Sequence, residues 1–237
     1  VAYVAESDGL TQLYLRPMDQ FEGFPLVGTD GASGPFFSPD GQWVGYFAEG
    51  RLKKVSVRGG PSVILAEAPE HRGASWTPDD TIVFTPSPPV GLSRVSAAGG
   101  TAQVLTTPDA AQGERTPRWP EVLPGGKAVV ITIGSLGSSD YYLDAKLAVL
   151  SLSTGKITPR PVTGTNAPYS PSGHLVFAAP GGLFAVPFDL DRLEMTGAAF
   201  SVLEGVMLDA STGAAHYALS RSGSLAFVPG NPHGVSV

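Results

Sequence analysis

Short apolar runs recur along this chain, each bounded by polar, glycine- or proline-bearing residues. They are Val44-Gly45-Tyr46-Phe47, Ile82-Val83-Phe84, Ala128-Val129-Val130-Ile131, Leu175-Val176-Phe177 and Leu225-Ala226-Phe227-Val228. Runs of this length between turn residues read as β-strands. Each follows a four-residue corner: Ser38-Pro39-Asp40-Gly41, Thr77-Pro78-Asp79-Asp80, Leu123-Pro124-Gly125-Gly126, Ser170-Pro171-Ser172-Gly173 and Ser220-Arg221-Ser222-Gly223. Proline in the second position presets φ for a type I turn, and glycine in the fourth supplies a left-handed residue before the next strand. A bulky residue precedes most corners (Phe37, Trp76, Tyr169, Leu219). Strand, tight turn and strand predict a hairpin at the head of every repeat.

A third strand follows in each repeat. Leu52-Lys53-Lys54-Val55-Ser56-Val57 matches Leu92-Ser93-Arg94-Val95-Ser96-Ala97 and Leu147-Ala148-Val149-Leu150-Ser151-Leu152. Leu183-Phe184-Ala185-Val186-Pro187-Phe188-Asp189 matches Leu13-Tyr14-Leu15-Arg16-Pro17-Met18-Asp19. Gly-Gly or Thr-Gly turns then lead to an outer fourth strand such as Ser62-Val63-Ile64-Leu65 or Gln103-Val104-Leu105. The corners start 39, 46, 47 and 50 positions apart (38 to 77, 77 to 123, 123 to 170, 170 to 220). That is the length of a four-stranded antiparallel sheet with its turns, so the fold class predicted is all-β, a β-propeller.

The ends predict how the blades close. Val1-Ala2-Tyr3-Val4-Ala5-Glu6 aligns with Val44-Gly45-Tyr46-Phe47-Ala48-Glu49, so the chain begins at a second strand. The strand around His216–Leu219 is expected to supply the missing first one, giving five blades closed by a composite N/C-terminal blade. The blades would span residues 1–29 with 213–237, 30–67, 68–107, 108–164 and 165–212, in one domain covering 1–237. Leu225-Ala226-Phe227-Val228 is surplus to that count, and six blades with two incomplete is the alternative. A start in mid-repeat and without Met reads as a piece of something longer.

Composition narrows the function. The 237 residues are 42% hydrophobic with 30 Gly and 22 Pro, ample for a core and for many tight turns. Only 15% are charged, and a net charge of −6 argues against a nucleic-acid surface. No apolar run approaches the roughly 18 residues of a membrane span, and no N-terminal signal pattern is present. With no cysteine, disulfide and thiolate chemistry are excluded.

Phe37-Ser38-Pro39-Asp40-Gly41 followed by Val44-Gly45-Tyr46 resembles the TolB-like, or PD40 (WD40-like), propeller repeats, and the resemblance covers essentially the whole chain. Gly50-Arg51-Leu52-Lys53-Lys54-Val55-Ser56-Val57-Arg58-Gly59-Gly60 is similar to the propeller regions attached to bacterial serine/threonine protein kinases. So are Leu92–Gly100 and Phe188–Gly197. The resemblance implies an extracytoplasmic sensor or interaction domain, periplasmic or at the cell surface, of a membrane-anchored kinase. The chain itself carries neither a Gly-rich ATP loop nor a His-Arg-Asp catalytic loop. Its third and fifth corners depart from Ser-Pro-Asp-Gly.

Candidate chemistry is sparse. No Ser-x-Asp-x-Gly box, Trp-Asp blade signature or Gly-x-Ser-x-Gly elbow occurs. Two asparagines, Asn166 and Asn231, are too few for a calcium lactonase site, and Asp189-Leu190-Asp191 lacks the remainder of a calcium loop. His71, His174, His216 and His233 show no metal-ligand spacing. The sequence therefore predicts no catalytic residue, metal or cofactor. In a propeller, the fourth-to-first-strand loops and the second-to-third-strand loops share one face around the axial mouth. They should bring His71, Arg72, Glu114, Arg115, Asn166 and Thr212 to that mouth, overhung by Tyr141 and Tyr142 in the loop Gly134–Asp144. Arg72 or Arg115 can hold a carboxylate or phosphate in bidentate fashion. The function expected is non-catalytic recognition of a protein, peptide or small ligand there. A propeller hydrolase and an architectural or gating propeller are the alternatives.

Overall fold

The computed structural model of the chain describes residues 1–7, 9–112, 114–135, 142 and 144–230. They are almost entirely β, with one 3₁₀ turn at Ala110–Gln112 and no α-helix. They gather into two compact units, Val1–Leu105 and Thr106–Val237.

The first unit holds three antiparallel sheets. Strands β1 (Ala2–Ser7), β2 (Leu10–Leu15) and β3 (Phe24–Pro25) form a three-stranded meander. Strands β4 (Ser33–Phe37), β5 (Trp43–Ala48), β6 (Arg51–Ser56) and β7 (Val63–Glu67) form a complete four-stranded blade. So do β8 (Ala74–Trp76), β9 (Thr81–Phe84), β10 (Ser93–Ser96) and β11 (Gln103–Val104).

The second unit repeats the plan with β12 (Glu114–Val122), β13 (Ala128–Ser135), β14 (Lys146–Ser151) and β15 (Ile157–Thr163). Then come β16 (Tyr169–Ser170), β17 (His174–Ala179), β18 (Gly182–Asp189), the short β19 (Glu194–Met195) and β20 (Phe200–Glu204), with β18 pairing both β19 and β20. Two hairpins follow, β21 (Leu208–Asp209) with β22 (Ala214–Ala215) and β23 (Tyr217–Leu219) with β24 (Leu225–Phe227). The repeating antiparallel blade, five times over, gives the chain a β-propeller fold. No helix among the described residues is long and apolar enough to cross a membrane.

Every corner has the predicted turn. The fourth residue donates its N–H to the carbonyl of the first: Gly41 to Ser38 at 2.9 Å, Asp80 to Thr77 at 3.3 Å, and Gly126, Gly173 and Gly223 to Leu123, Ser170 and Ser220 at 3.0 Å each. The same residues sit at φ +70°, +59°, +67°, +83° and +89°. Glycine adopts this region without steric cost, and Asp80 is the one non-glycine that takes it here. Its carboxylate accepts the indole N–H of Trp76 at 3.1 Å, which helps hold it there. Ser or Thr opens four of the corners because its hydroxyl closes the turn. Trp43 and Ser224 donate their N–H to the hydroxyls of Ser38 and Ser220 at 2.9 Å, and Thr81 to that of Thr77 at 3.0 Å.

Second strands are buried on both faces. In β5, residues Val44–Ala48 are all buried; in β9 Ile82–Phe84 are, and in β17 Leu175–Ala178. They are sandwiched between neighbouring sheets. Phe47, Leu52, Trp76, Ile82 and Phe84 pack between the two complete blades of the first unit. Val130, Leu147, Leu175, Phe177 and Phe188 do the same in the second. Each large side chain so buried stabilises the fold by about 1.5–3 kcal/mol. Gly45 in β5 makes room for Phe36, whose ring would lie 2.2 Å from a Cβ there.

The composite closure is corrected by the strand pairing. β1 takes β2 as its partner and β23 takes β24, so each is paired within its own unit. The physical reason is local. Leu225-Ala226-Phe227, surplus to the five-blade count, lies one tight turn from Tyr217–Leu219 and captures it before any distant strand.

Candidate functional site

In the first unit the loop between β7 and β8 carries His71 and Arg72. Its backbone is fixed: Arg72 donates its N–H to the Thr85 carbonyl at 3.1 Å and Thr85 donates to that of Gly73 at 3.1 Å, extending the β8–β9 pairing. The His71 ring stacks on Phe47 with centroids 3.8 Å apart and planes within 2°. Gly34 leaves space for it, since a Cβ there would lie 3.2 Å from the His71 Cε1. His71 Nε2 is 2.9 Å from the Ser33 hydroxyl, which itself donates to the Phe47 carbonyl at 3.2 Å. The proton between imidazole and serine therefore belongs to Nε2, leaving Nδ1 as an acceptor, buried and without a partner. Burial, with Arg72 second, lowers His71 to about 4.

A serine beside a histidine invites comparison with a nucleophile and its base. The chemistry runs the other way here. Among the described residues no carboxylate orients Nδ1, the serine proton points at a backbone carbonyl, and an imidazole that resists protonation down to about pH 4 is a poor base.

Arg72 is half-buried, and its Nη1 donates to the carbonyls of Glu70 at 3.0 Å and His71 at 2.7 Å. The guanidinium is thus braced by its own loop. Its Nε is buried without a partner, and no carboxylate among the described residues forms an ion pair with it.

The second unit gathers other predicted residues around β12. Arg118, buried to 6% exposure, donates from Nη1 to the Thr212 carbonyl at 2.9 Å and lies 3.9 Å from the centroid of the Tyr142 ring. The Trp119 indole donates to the same carbonyl at 3.1 Å. Tyr142 is 2% exposed and donates its hydroxyl to the Thr116 carbonyl at 2.8 Å, so its ring is a core element here. Asp209 accepts from Ser211 N at 2.8 Å, Ser211 Oγ at 2.7 Å and Thr212 Oγ1 at 2.7 Å. Burial pushes that carboxyl up, and the hydrogen bonds from Ser211 and Thr212 together hold it below the usual carboxylate range. Thr165 fastens the far side of the loop by donating to the Gly213 carbonyl at 2.6 Å. Asn166, at φ +47°, accepts the Tyr217 hydroxyl on its carbonyl.

Glu114 and Arg115 are half-buried at the start of β12, where the Glu114 carboxylate accepts the Asp109 N–H at 2.9 Å. Tyr141 lies outside the described residues. The structure thus brings His71 together with Arg72, and Thr212 together with Tyr142. Ser33, Phe47, Arg118, Trp119 and Tyr217 are not singled out as site residues by the sequence. Only Arg118 and Trp119 carry a visible signal, the polar and aromatic run Thr116-Pro117-Arg118-Trp119 where a first strand is due.

A hollow of about 500 Å³ lies at the outer strand β15, lined by Lys146, Pro159, Arg160, Pro161, Val162 and Thr163, and none of the candidate residues reaches it. Among the described residues no three His, Cys, Asp or Glu side chains are placed to hold a metal ion.

No protein-family model and no curated protein matches the chain. Solved structures do. A calcium-binding regucalcin from Agrobacterium tumefaciens is 18% identical with a TM-score of 0.56, over 76% of this chain and 64% of that one. A putative TolB from the same species is 15% identical, TM-score 0.55, over 87% and 82%. A puromycin hydrolase is 18% identical, TM-score 0.55, over 91% and 37%. The likeness is one of fold. Enzymes and a TolB-like protein share it, and the chain spans less than two thirds of the length of the regucalcin and of the hydrolase.

Proposed function

We propose that this propeller is a non-catalytic recognition module whose β7–β8 loop takes an anionic group of its ligand on Arg72. The observation that carries the reading is a half-buried guanidinium braced on two carbonyls of its own loop, with no carboxylate of the described residues to balance it. Nη1 is committed, and the other terminal nitrogen is left to meet a carboxylate or phosphate oxygen. The imidazole beside it stays neutral across the physiological range, so it adds no second positive charge and supplies no effective base, and the anion is left to Arg72. The similarity of the repeats to kinase-attached propellers supports a setting outside the bacterial membrane, as the sensing part of a larger receptor.

Calorimetric titration of inorganic phosphate, acetate and a panel of acidic peptides into the wild type and into Arg72→Ala tests this. A charge-assisted hydrogen bond contributes about 1.5–3 kcal/mol when desolvated, so the variant should bind about 10- to 100-fold more weakly. Equal affinities would move the site away from Arg72. Turnover of any ligand would put the enzyme reading first.

A further inference from the structure

The hollow at the outer strand β15 is built by a break in the strand pairing. Lys146 in β14 faces Thr163, but two residues later Ala148 faces Pro159, four residues back along β15. Arg160, Pro161 and Val162 therefore oppose the single Leu147, and β15 bulges there. The prolines help to place the bulge, since neither Pro159 nor Pro161 has an N–H to give the ladder. Val162 packs against the core of the unit and ties the bulge down. These residues, with Lys146 and Thr163, line a space of about 500 Å³. Arg160 is its fixed charge. Its Nη2 donates to the Leu193 carbonyl at 2.6 Å and its Nη1 to the Pro159 carbonyl at 3.2 Å. One N–H on each terminal nitrogen is so taken, and one on each remains to be given. The guanidinium is half-buried, and its Nε is buried without a partner. Among the described residues neither Arg160 nor Lys146 forms an ion pair, and no acidic residue lines the hollow. In a chain of 21 acidic and 15 basic residues, two cations around one hollow without an acid stand out against the overall charge.

We infer that this hollow binds a small phosphate monoester, with the phosphate on Arg160 and Lys146 and the ester group against Pro159, Pro161 and Val162. A guanidinium whose plane is fixed by two carbonyls presents its remaining N–H groups in a set direction, which suits a tetrahedral oxyanion. Lys146, exposed on its flexible stem, adds a second charge that can follow the ligand. Two cations match a phosphate monoester, which carries close to two negative charges at neutrality, better than they match a single carboxylate. A half-desolvated cation with no counter-charge also gains more from an anion than a solvated one does. The proline rings and the valine offer a stiff apolar wall for the rest of the molecule, in a volume ordinary for a small-molecule site. An added peptide strand is less well served, because this edge lacks an N–H at both Pro159 and Pro161. Arg72 lines no part of the hollow, so the site stands whether or not the anion reading of the β7–β8 loop does.

The probe is phenyl phosphate, titrated into the ¹⁵N-labelled intact chain and followed by NMR at the Thr163 amide and the Arg160 side-chain N–H groups. Saturable shifts are expected at both. Arg160→Ala should weaken binding about 10- to 100-fold, the loss of charge-assisted hydrogen bonds. Since Arg160 also holds the Leu193 carbonyl, a second variant keeps the test clean. Lys146 is exposed, so Lys146→Glu should fold normally, and the acid it brings into the hollow should weaken binding about tenfold or more. Benzoate, with one negative charge, should bind more weakly than phenyl phosphate, and benzamide, with the ring and no charge, should not bind measurably. Arg72→Ala should leave the affinity for phenyl phosphate at this site unchanged. Absence of saturable shifts at Thr163 and Arg160, undiminished affinity in Lys146→Glu, or equal affinity for benzamide would each overturn the assignment. Binding lost in Arg72→Ala and kept in Lys146→Glu would overturn it too, and would assign phosphate to the β7–β8 loop instead.

Discussion

Arg118 and Arg72 are both withdrawn from solvent, yet the fold treats them differently. Arg118 reaches across its unit to the Thr212 carbonyl and stacks on Tyr142, joining three stretches of chain far apart in sequence. Among the described residues the Arg72 guanidinium donates only to carbonyls one and two residues before it. An arginine whose partners are distant in sequence holds elements together. One braced on its own loop holds only its own orientation. Pre-ordering a charge that no carboxylate of the described residues answers is how a binding group is prepared. The contrast separates two residues that composition alone would class together.

The sharpest way to break the contrast is to remove the clasp. Arg118→Ala should lower the unfolding free energy by about 3 kcal/mol, from a lost charge-assisted hydrogen bond and a desolvated cation–π contact. Urea denaturation followed by tryptophan fluorescence measures this, and a loss under about 1 kcal/mol would place Arg118 with Arg72.

Acid should act next most strongly, and on the Arg72 side. His71 is lowered from 6.5 to about 4, chiefly by burial. Below 6.5 the unfolded chain takes up a proton that the folded one refuses. The stability contribution is therefore complete above pH 6.5 and is lost as the pH falls towards 4. Its size is on the order of 2 kcal/mol after solvent screening. His71→Phe keeps an aromatic ring against Phe47 and should flatten that part of the pH profile. An unchanged slope between pH 6.5 and 4 would mean that His71 titrates normally.

A smaller effect sharpens the clasp. Tyr142→Phe removes the hydroxyl bonded to the Thr116 carbonyl and leaves the ring under Arg118. It should cost about 1 kcal/mol, the net value of one buried hydrogen bond. A cost as large as that of Arg118→Ala would shift the weight of the clasp from the cation to the phenol.

The blades were legible in the sequence because turn chemistry is local. Ser38-Pro39-Asp40-Gly41 states its own geometry, and Gly41 sits at φ +70° as that turn requires. Even the decayed corners at Leu123 and Ser220 keep a left-handed fourth residue, at Gly126 and Gly223. The pairing of Tyr217–Leu219 was misread because the sequence shows two competing partners, and proximity along the chain decided for Leu225–Phe227. The site was less legible still. Arg72 and His71 lie on a loop that the repeat length locates, but Ser33 comes from a different blade, 38 residues away. Arg118 and Thr212 meet across 94 residues. Tyr142 looked like a surface tyrosine in a Gly/Ser-rich loop, and only packing could show that its ring lies under Arg118.

The smallest effect on stability should come from Arg72 itself, and it decides the comparison. Arg72→Ala removes hydrogen bonds to two carbonyls of an exposed loop whose backbone is already fixed by Thr85, so unfolding free energy should change by no more than about 0.5 kcal/mol. The charge should still be missed. Arg72 is the second cause of the lowered His71, and without it the imidazole should titrate at a higher pH while remaining below 6.5, because burial, the larger cause, is untouched. Proton NMR of the His71 Cε1–H in both proteins reads this directly. Arg118→Ala offers no such decoupling, since its loss should appear in the unfolding curve. If Arg72→Ala instead destabilises the chain as Arg118→Ala does, with His71 unmoved, then Arg72 is a brace and the anion it was held to await has no part in its presence there.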